Sequence, residues 1–297
     1  MPNITIKESD LTNPGSLNVT SNIVYVPGLA TKVPKNFNTL EPRLYSDLAM
    51  FQADFGNKVP IVTIDNTANA SKTFDTGYIY AVELLRLGMP VLFDCLISKS
   101  TKVGEKDTSL IDISMVTNHK LNIGQLPAAA INALSNEALK DKGLYNIKFI
   151  TTGGYVGSRT NAQARELASE RKDCCAILDI FKDKTIDDIT LALEDPTTLK
   201  SIGLPQSDID KSKYSAAFAP WGTYTPPCIS NYLIGSYDKD GKAEYYPSIV
   251  NLPASFGYLL AAANSFNAGA ANWSAIAGAA RGNIPYLISL DEYYTES

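Results

Sequence analysis

Short apolar runs recur along the chain, separated by stretches long enough for helices of about 10–15 residues. Asn22 to Gly28 is β-rich through Ile23-Val24-Tyr25-Val26 and stops at Pro27-Gly28. Residues 42–56 predict a helix, with Pro42 in its first turn, Leu44, Leu48 and Phe51 on one face, and Gly56 at its end. Tyr78, Val82 and Leu85 define an amphipathic helix that Gly88-Met89-Pro90 terminates. Val91 to Leu96 is almost unbroken in its apolar character, as expected of a strand buried on both faces. Residues 100–120 are polar and read as loop. A helix is expected over Ala128–Leu139, a strand over Ile147–Thr151, and a helix capped by Asn161 and running to Lys172. A strand over Cys174–Ile180, a helical region near 185–194 and an apolar run from Tyr214 to Pro220 follow. This alternation indicates βαβ units and an α/β fold, with a mainly parallel sheet flanked by helices.

The two ends differ from this middle. Residues 1–20 alternate weakly around the turn signal Asn13-Pro14-Gly15 and predict an extended N-terminal arm, with residues 21–297 forming the α/β core. Towards the C-terminus, Tyr237–Tyr246 predicts a hairpin with Asp240-Gly241 in its turn. An alanine-rich helix is expected over Ser255–Phe266, followed by the segment Asn272–Ala280. Nothing between Glu244 and Arg281 is charged. Pro247, Pro253, Asn251, Asn264, Asn267 and Asn272 within it argue against a membrane span, where such amides are costly to bury. The segment is expected to be buried or covered by another subunit.

Composition narrows the chemistry. The 297 residues carry 26 Lys+Arg against 31 Asp+Glu, a net charge of −5, and so lack the basic footprint of a nucleic-acid binder. With a single histidine, His119, most histidine-based metal centres are excluded, and any histidine-dependent triad rests on one residue. Cys95, Cys174, Cys175 and Cys228 show no CxxC spacing, so buried free thiols in a reducing compartment are expected rather than a zinc site or a disulfide framework. Cys174 and Cys175 should face opposite sides of a strand. The start, MPNITIKESD, has no secretory signal pattern, and no apolar run reaches the roughly 18 residues of a membrane helix. No cofactor is implied.

Three features could carry chemistry. Thr152–Thr160 is a Gly-rich loop between a strand and a helix, able either to cradle phosphate or simply to turn sharply. It fits neither GxxxxGK[ST] nor GxGxxG. Asp94 and Asp179 fall at the ends of strands expected to be adjacent, where they could hold magnesium, act as an acid/base pair, or cap turns. His119 lies in a polar stretch and Ser158 lacks a GxSxG elbow, so both read as loop residues. Among the 16 tyrosines, clusters near 232–246 and 286–294 suit an interface or a core edge.

The C-terminal third resembles the contractile tail sheath proteins of bacteriophages and related injection machines. Tyr214–Trp221 is similar to the family's alanine–aromatic–Pro-Trp strand, Leu252–Asn264 to its Pro-x-Ser-Gly helix, and Asn272–Gly278 to its Gly-Val-Trp-Lys-Ala-Pro-Ala-Gly segment. Leu48–Gly56, Tyr78–Cys95, Ile147–Gly154 and Arg171–Ile180 resemble further pieces in the family's order, so the likeness spans most of residues 20–285. Asn264 stands where an arginine is usual, Ser274 where a lysine is common, and Gly153-Gly154 replaces Pro-Gly. The family normally continues past the tryptophan segment into a C-terminal domain and arm, so this chain, ending at Ser297, corresponds to part of the family pattern or to a shortened or divided form.

The resemblance implies a structural protein without catalysis, present in the virion tail and assembled in the bacterial host cytoplasm. It would form stacked hexameric rings around a tail tube and contract to drive that tube through the target envelope. Implied partners are neighbouring copies, the tail tube protein, and baseplate and tail terminator proteins, with no direct nucleic-acid contact or membrane insertion. Residues 1–20 would then be a linking arm, and Tyr25, Trp221 and Trp273 are candidate packing or interface anchors. The alternative is an α/β enzyme or nucleotide-binding domain using loop 152–160 with Asp94 and Asp179.

Overall fold

A computed structural model describes residues 23–34, 41–64, 72–101, 110–230, 236–237, 243–244, 249–267 and 282–291. The central sheet draws on β1 (Ile23–Gly28), β2 (Arg43–Tyr45), β5 (Val91–Cys95), β6 (Ile147–Thr151), β7 (Cys175–Asp179) and β8 (Ser215–Phe218). Its order is β2-β5-β1-β6-β7-β8. Five strands run parallel, and β2 pairs antiparallel with β5 at one edge. Numbered by their order in the chain, the parallel strands read 2-1-3-4-5, a doubly wound arrangement whose direction of winding reverses between β1 and β6. This is the mainly parallel α/β sheet expected from the apolar runs.

Helices cover both faces. Helices α1 (Leu48–Phe55), α2 (Thr76–Arg86) and α9 (Ala254–Asn267) pack on one side, where Val24, Val26, Phe93, Phe149 and Ile177 form a core with Tyr78, Leu84 and Phe256. On the other side α4 (Leu126–Leu134) and α5 (Ser158–Arg171) cover Tyr25, Leu92, Ile150, Ala176 and Leu178. Every residue of β1 and β5 is buried, which explains why β5 shows no polar alternation. The strand expected from Cys174 starts at Cys175, and Cys174, just before it, does face the opposite core from Cys175. The remaining elements are peripheral to the sheet. They are the hairpin of β3 (Ile61–Thr63) with β4 (Lys72–Phe74), the short helices α3 (Ile113–Thr117), α7 (Ile209–Ser212) and α8 (Pro227–Ser230), and α6 (Ile186–Glu194). A second antiparallel sheet orders β12 (Val250–Leu252), β9 (Gly222–Tyr224) and β13 (Leu287–Leu290).

Several local expectations need correction. Residues 42–56 are not one helix: Arg43–Tyr45 pairs with β5, and α1 starts only at Leu48, where the Asp47 carboxylate accepts from the Met50 N–H. Tyr45 packs edge-on against Phe51 and Phe55 and donates its hydroxyl to Asp54, which holds this strand on the sheet. Leu44 is consequently exposed rather than on a helix face. Asn161 is not a cap: α5 already begins at Ser158, and the buried Asn161 amide donates to the carbonyls of Asp179 and Gly203, tying α5 to β7. The polar stretch 100–120 contains α3, and the helix expected to reach Leu139 ends at Leu134 before a 3-10 turn over Glu137–Lys140. The hairpin near 240 is present as β10 (Ser236–Tyr237) paired with β11 (Ala243–Glu244), while its Asp240-Gly241 turn lies outside the described residues. So do the arm at 1–20, Asn272–Ala280 and Trp273.

Candidate functional site

In open α/β sheets, ligands gather beyond the carboxyl ends of the strands, at the point where winding reverses. Here that point lies between Gly28, which ends β1, and the Gly-rich loop that follows β6. Gly153 and Gly154 take left-handed backbone (φ +67° and +80°), and a Cβ at Gly153 would overlap the Pro27 carbonyl. α2 also starts here, with Gly77 pressed against Pro27 and Gly28. Closure this tight fills the crevice with the side chains of Thr76, whose hydroxyl donates to the Gly153 carbonyl (2.6 Å), Tyr155 and Asp75. One carboxylate oxygen of Asp75 accepts from the N–H groups of Tyr78 (2.8 Å) and Leu29 (3.0 Å), and the other accepts from the Tyr155 hydroxyl (2.5 Å). Asp75 therefore occupies the place at a helix N-terminus where a ligand's anion could sit. Burial pushes its pKa up to about 6, and the three hydrogen bonds only partly oppose this. No motif singled it out, although an aspartate ahead of Thr-Gly-Tyr is a helix-start signal.

The two aspartates singled out by sequence are not brought together. β5 and β7 are separated by β1 and β6, so the expected adjacency is wrong. Asp94 shares the face of Leu92 and Tyr25, whereas Asp179 shares the face of Ile177 beneath α9. Each also has a structural role. Asp94 accepts from the Tyr25 hydroxyl (2.9 Å) and pairs with the buried Lys99 ammonium (3.2 Å). Burial raises its pKa, and Lys99 opposes that shift. Asp179 accepts from the Ser255 N–H (2.9 Å) and hydroxyl (2.6 Å) at the start of α9, and Ser255 in turn meets Tyr80 (2.7 Å). Its pKa is pushed up to about 7 by burial.

The other candidates are placed as follows. Tyr25 is wholly buried in the central strand β1. Trp221 is half-buried, and its indole N–H donates to the Ile180 carbonyl (2.7 Å). It lines a cleft of about 790 Å³ beyond the carboxyl ends of the strands, together with Phe181, Lys182, Tyr155 and Lys72. His119 follows α3 with left-handed backbone (φ 53°), and Ser158 opens α5. All four cysteines are free, and burial pushes the Cys95 and Cys174 thiols up to about 12, away from thiolate chemistry. Among the described residues no cluster of three or more His, Cys, Asp or Glu could hold a metal ion, and no helix is long and apolar enough to cross a membrane.

Sequence reasoning did not anticipate the state of the β8 edge. β8 closes the described sheet, and only β7 pairs with it. The carbonyls of Tyr214 and Phe218 accept from Ala176 and Ile180 of the β7 segment, so Ser215 and Ala217 turn their N–H and C=O groups outward. Sheet edges are usually protected by charge, proline or a bulge. This one carries Ser-Ala-Ala-Phe, and beside it Ala217 and Leu193 line an apolar groove of about 200 Å³ with Leu178, Leu199 and Leu204. Leu191 and Leu193 of α6 and Ile209 of α7 are more than half exposed. Comparison with known protein families and with curated proteins finds no match for this chain.

Proposed function

We propose that the chain is a structural subunit of a contractile tail sheath, polymerising as stacked hexameric rings around a tail tube and contracting to drive that tube through a target envelope. Its place would be the virion tail, built in the host cytoplasm from copies of itself with tube, baseplate and terminator proteins. One observation carries the reading: the sheet ends in an uncharged strand whose outward backbone groups have no partner among the described residues, flanked by the exposed Leu193. Such an edge is suited to β-augmentation, in which backbone hydrogen bonds join neighbouring chains. The ordered resemblance along residues 20–285 supports the same conclusion, since α1, α2–β5, β6, β7, β8–Trp221 and α9 all coincide with segments that carry it. Contraction then needs no bound nucleotide, only an interface with two packings of different free energy.

Negative-stain electron microscopy of the chain, alone and with a tube partner, tests this directly. Hollow cylinders or stacked rings are expected. Ala217→Pro removes an outward N–H without touching the bonds to β7, so it should abolish assembly while leaving the circular dichroism spectrum unchanged. Deleting residues 1–20 should likewise prevent polymer formation. Persistent monomers from the unmodified chain with its tube partner would count against the proposal, as would cylinders that form equally well from Ala217→Pro.

A further inference from the structure

A second site lies where the Gly-rich loop enters α5. α5 has 14 residues, and its N-cap is Gly157, which offers no side-chain acceptor. The Ser158, Arg159 and Thr160 N–H groups, at the first three helical positions, thus have no intrahelical acceptor, and a helix start carries roughly half a positive charge. Many helix starts are simply hydrated. What sets this one apart is Thr160: its residue is 1% exposed, its Oγ1 has no hydrogen-bond partner, and it lines a groove of about 430 Å³. Buried hydroxyls are nearly always paired, and leaving one unpaired costs free energy that a bound acceptor recovers. Arg159 is the one ionisable residue among those lining the groove, and Ser158 adds a hydroxyl. Pro127, Ile131 and Phe181 supply apolar walls.

Backbone N–H groups, two hydroxyls and a guanidinium suit an anion with several oxygens arranged tetrahedrally. The groove shares Gly124, Pro127 and Phe181 with the 790 Å³ cleft that Trp221 lines, so a ligand's remainder has a place against aromatic surface. We propose that this groove binds the phosphate group of a small phosphate monoester, whose ring lies in the adjoining cleft against Phe181 and Trp221. The site uses neither Asp94 nor Asp179 and stands independently of whether the chain assembles.

Isothermal titration of the full 297-residue chain in phosphate-free buffer tests it, with adenosine 5′-monophosphate, inorganic phosphate and adenosine as probes. The monophosphate should bind most tightly, phosphate more weakly, and adenosine least. Phosphate binding as tightly as the monophosphate would support the anion groove and assign it to the free ion. Thr160→Val is expected to weaken both phosphate-bearing probes about tenfold, as loss of one hydrogen bond to a charged group should. Without ligand the same variant should melt no lower than the parent, because the hydroxyl it removes is unpaired. Arg159→Ala should weaken the same two probes while sparing the fold. No binding of either phosphate-bearing probe at millimolar concentration overturns the proposal. So does unchanged affinity in Thr160→Val, or a lower melting temperature of that variant without ligand, since the hydroxyl would then serve the fold.

Discussion

Arg171→Met is expected to lower the unfolding free energy by about 3–5 kcal/mol, the usual cost of removing one partner of a buried ion pair. Arg171 ends α5 with its side chain entirely buried. Its guanidinium donates to the carbonyls of Leu139 and Tyr145, and its Nε and Nη2 form a fork onto the Asp173 carboxylate at 3.0 and 3.1 Å. One side chain thereby joins the turn before β6 to the segment before β7. Methionine preserves the apolar stem but leaves two carbonyls unpaired and Asp173 without its counter-charge. Arg171→Lys should lose somewhat less, because an ammonium keeps the charge but cannot form the fork. Urea unfolding at neutral pH measures both variants. A loss below about 1 kcal/mol for the methionine variant would contradict the role given to this side chain.

Stability should also rise, not fall, as the solution is acidified from pH 8 towards 5. Asp75 and Asp179, pushed up to about 6 and about 7, bind protons in the folded state at pH values where the unfolded chain, near 3.8, has released them. Between those limits the native state holds more protons, so the unfolding free energy increases as pH decreases. For Asp179 alone the shift corresponds to roughly 4 kcal/mol, fully present below the unfolded pKa and lost as pH rises through about 7. Asp94, raised by burial, acts in the same sense. Asp112, Asp188 and Asp195 are lowered by hydrogen bonds at helix starts and act in the opposite sense, at lower pH. Urea titrations from pH 4.5 to 8 should therefore show a clear downward slope with rising pH, which Asp179→Asn flattens towards the upper end. A parent protein equally stable across that range would refute the assignment.

How much of this was legible in the sequence depended on the range of the interaction. β5 and the opposed cysteines at the start of β7 could be read because burial on both faces and two-residue alternation are local properties. Residues 43–45 could not, because what makes them a strand is pairing with β5, nearly fifty residues on, and the contacts of Tyr45 with α1. The presumed neighbourhood of Asp94 and Asp179 failed for a related reason. Chain order already puts β6 between β5 and β7, and the sheet inserts β1 as well. Asp75 passed unnoticed because its importance comes from meeting Leu29 and Tyr155, forty-six and eighty positions away. The Gly-rich loop does follow β6, but it ends at Gly157, so Ser158–Thr160 belong to α5 and not to the loop. Thr160 drew no attention, since an unpaired hydroxyl is a property of three-dimensional surroundings. The β8 edge was equally invisible to a reading that knew the apolar run but not its position in the sheet.

The shortness of β8 has a consequence for the strength of any junction built on it. Ser215 and Ala217 offer two N–H and two C=O groups, so a guest strand gains about four hydrogen bonds, each worth on the order of 1 kcal/mol net. Four such bonds amount to about the free energy of a millimolar complex. A single junction of this kind would dissociate readily, and two copies meeting by it alone would not remain together. Persistence would require many junctions engaged at once, through avidity rather than local affinity. A lattice held in this way would be reversible at every contact and durable as a whole, so that losing one row of contacts weakens its neighbours and the whole array rearranges together.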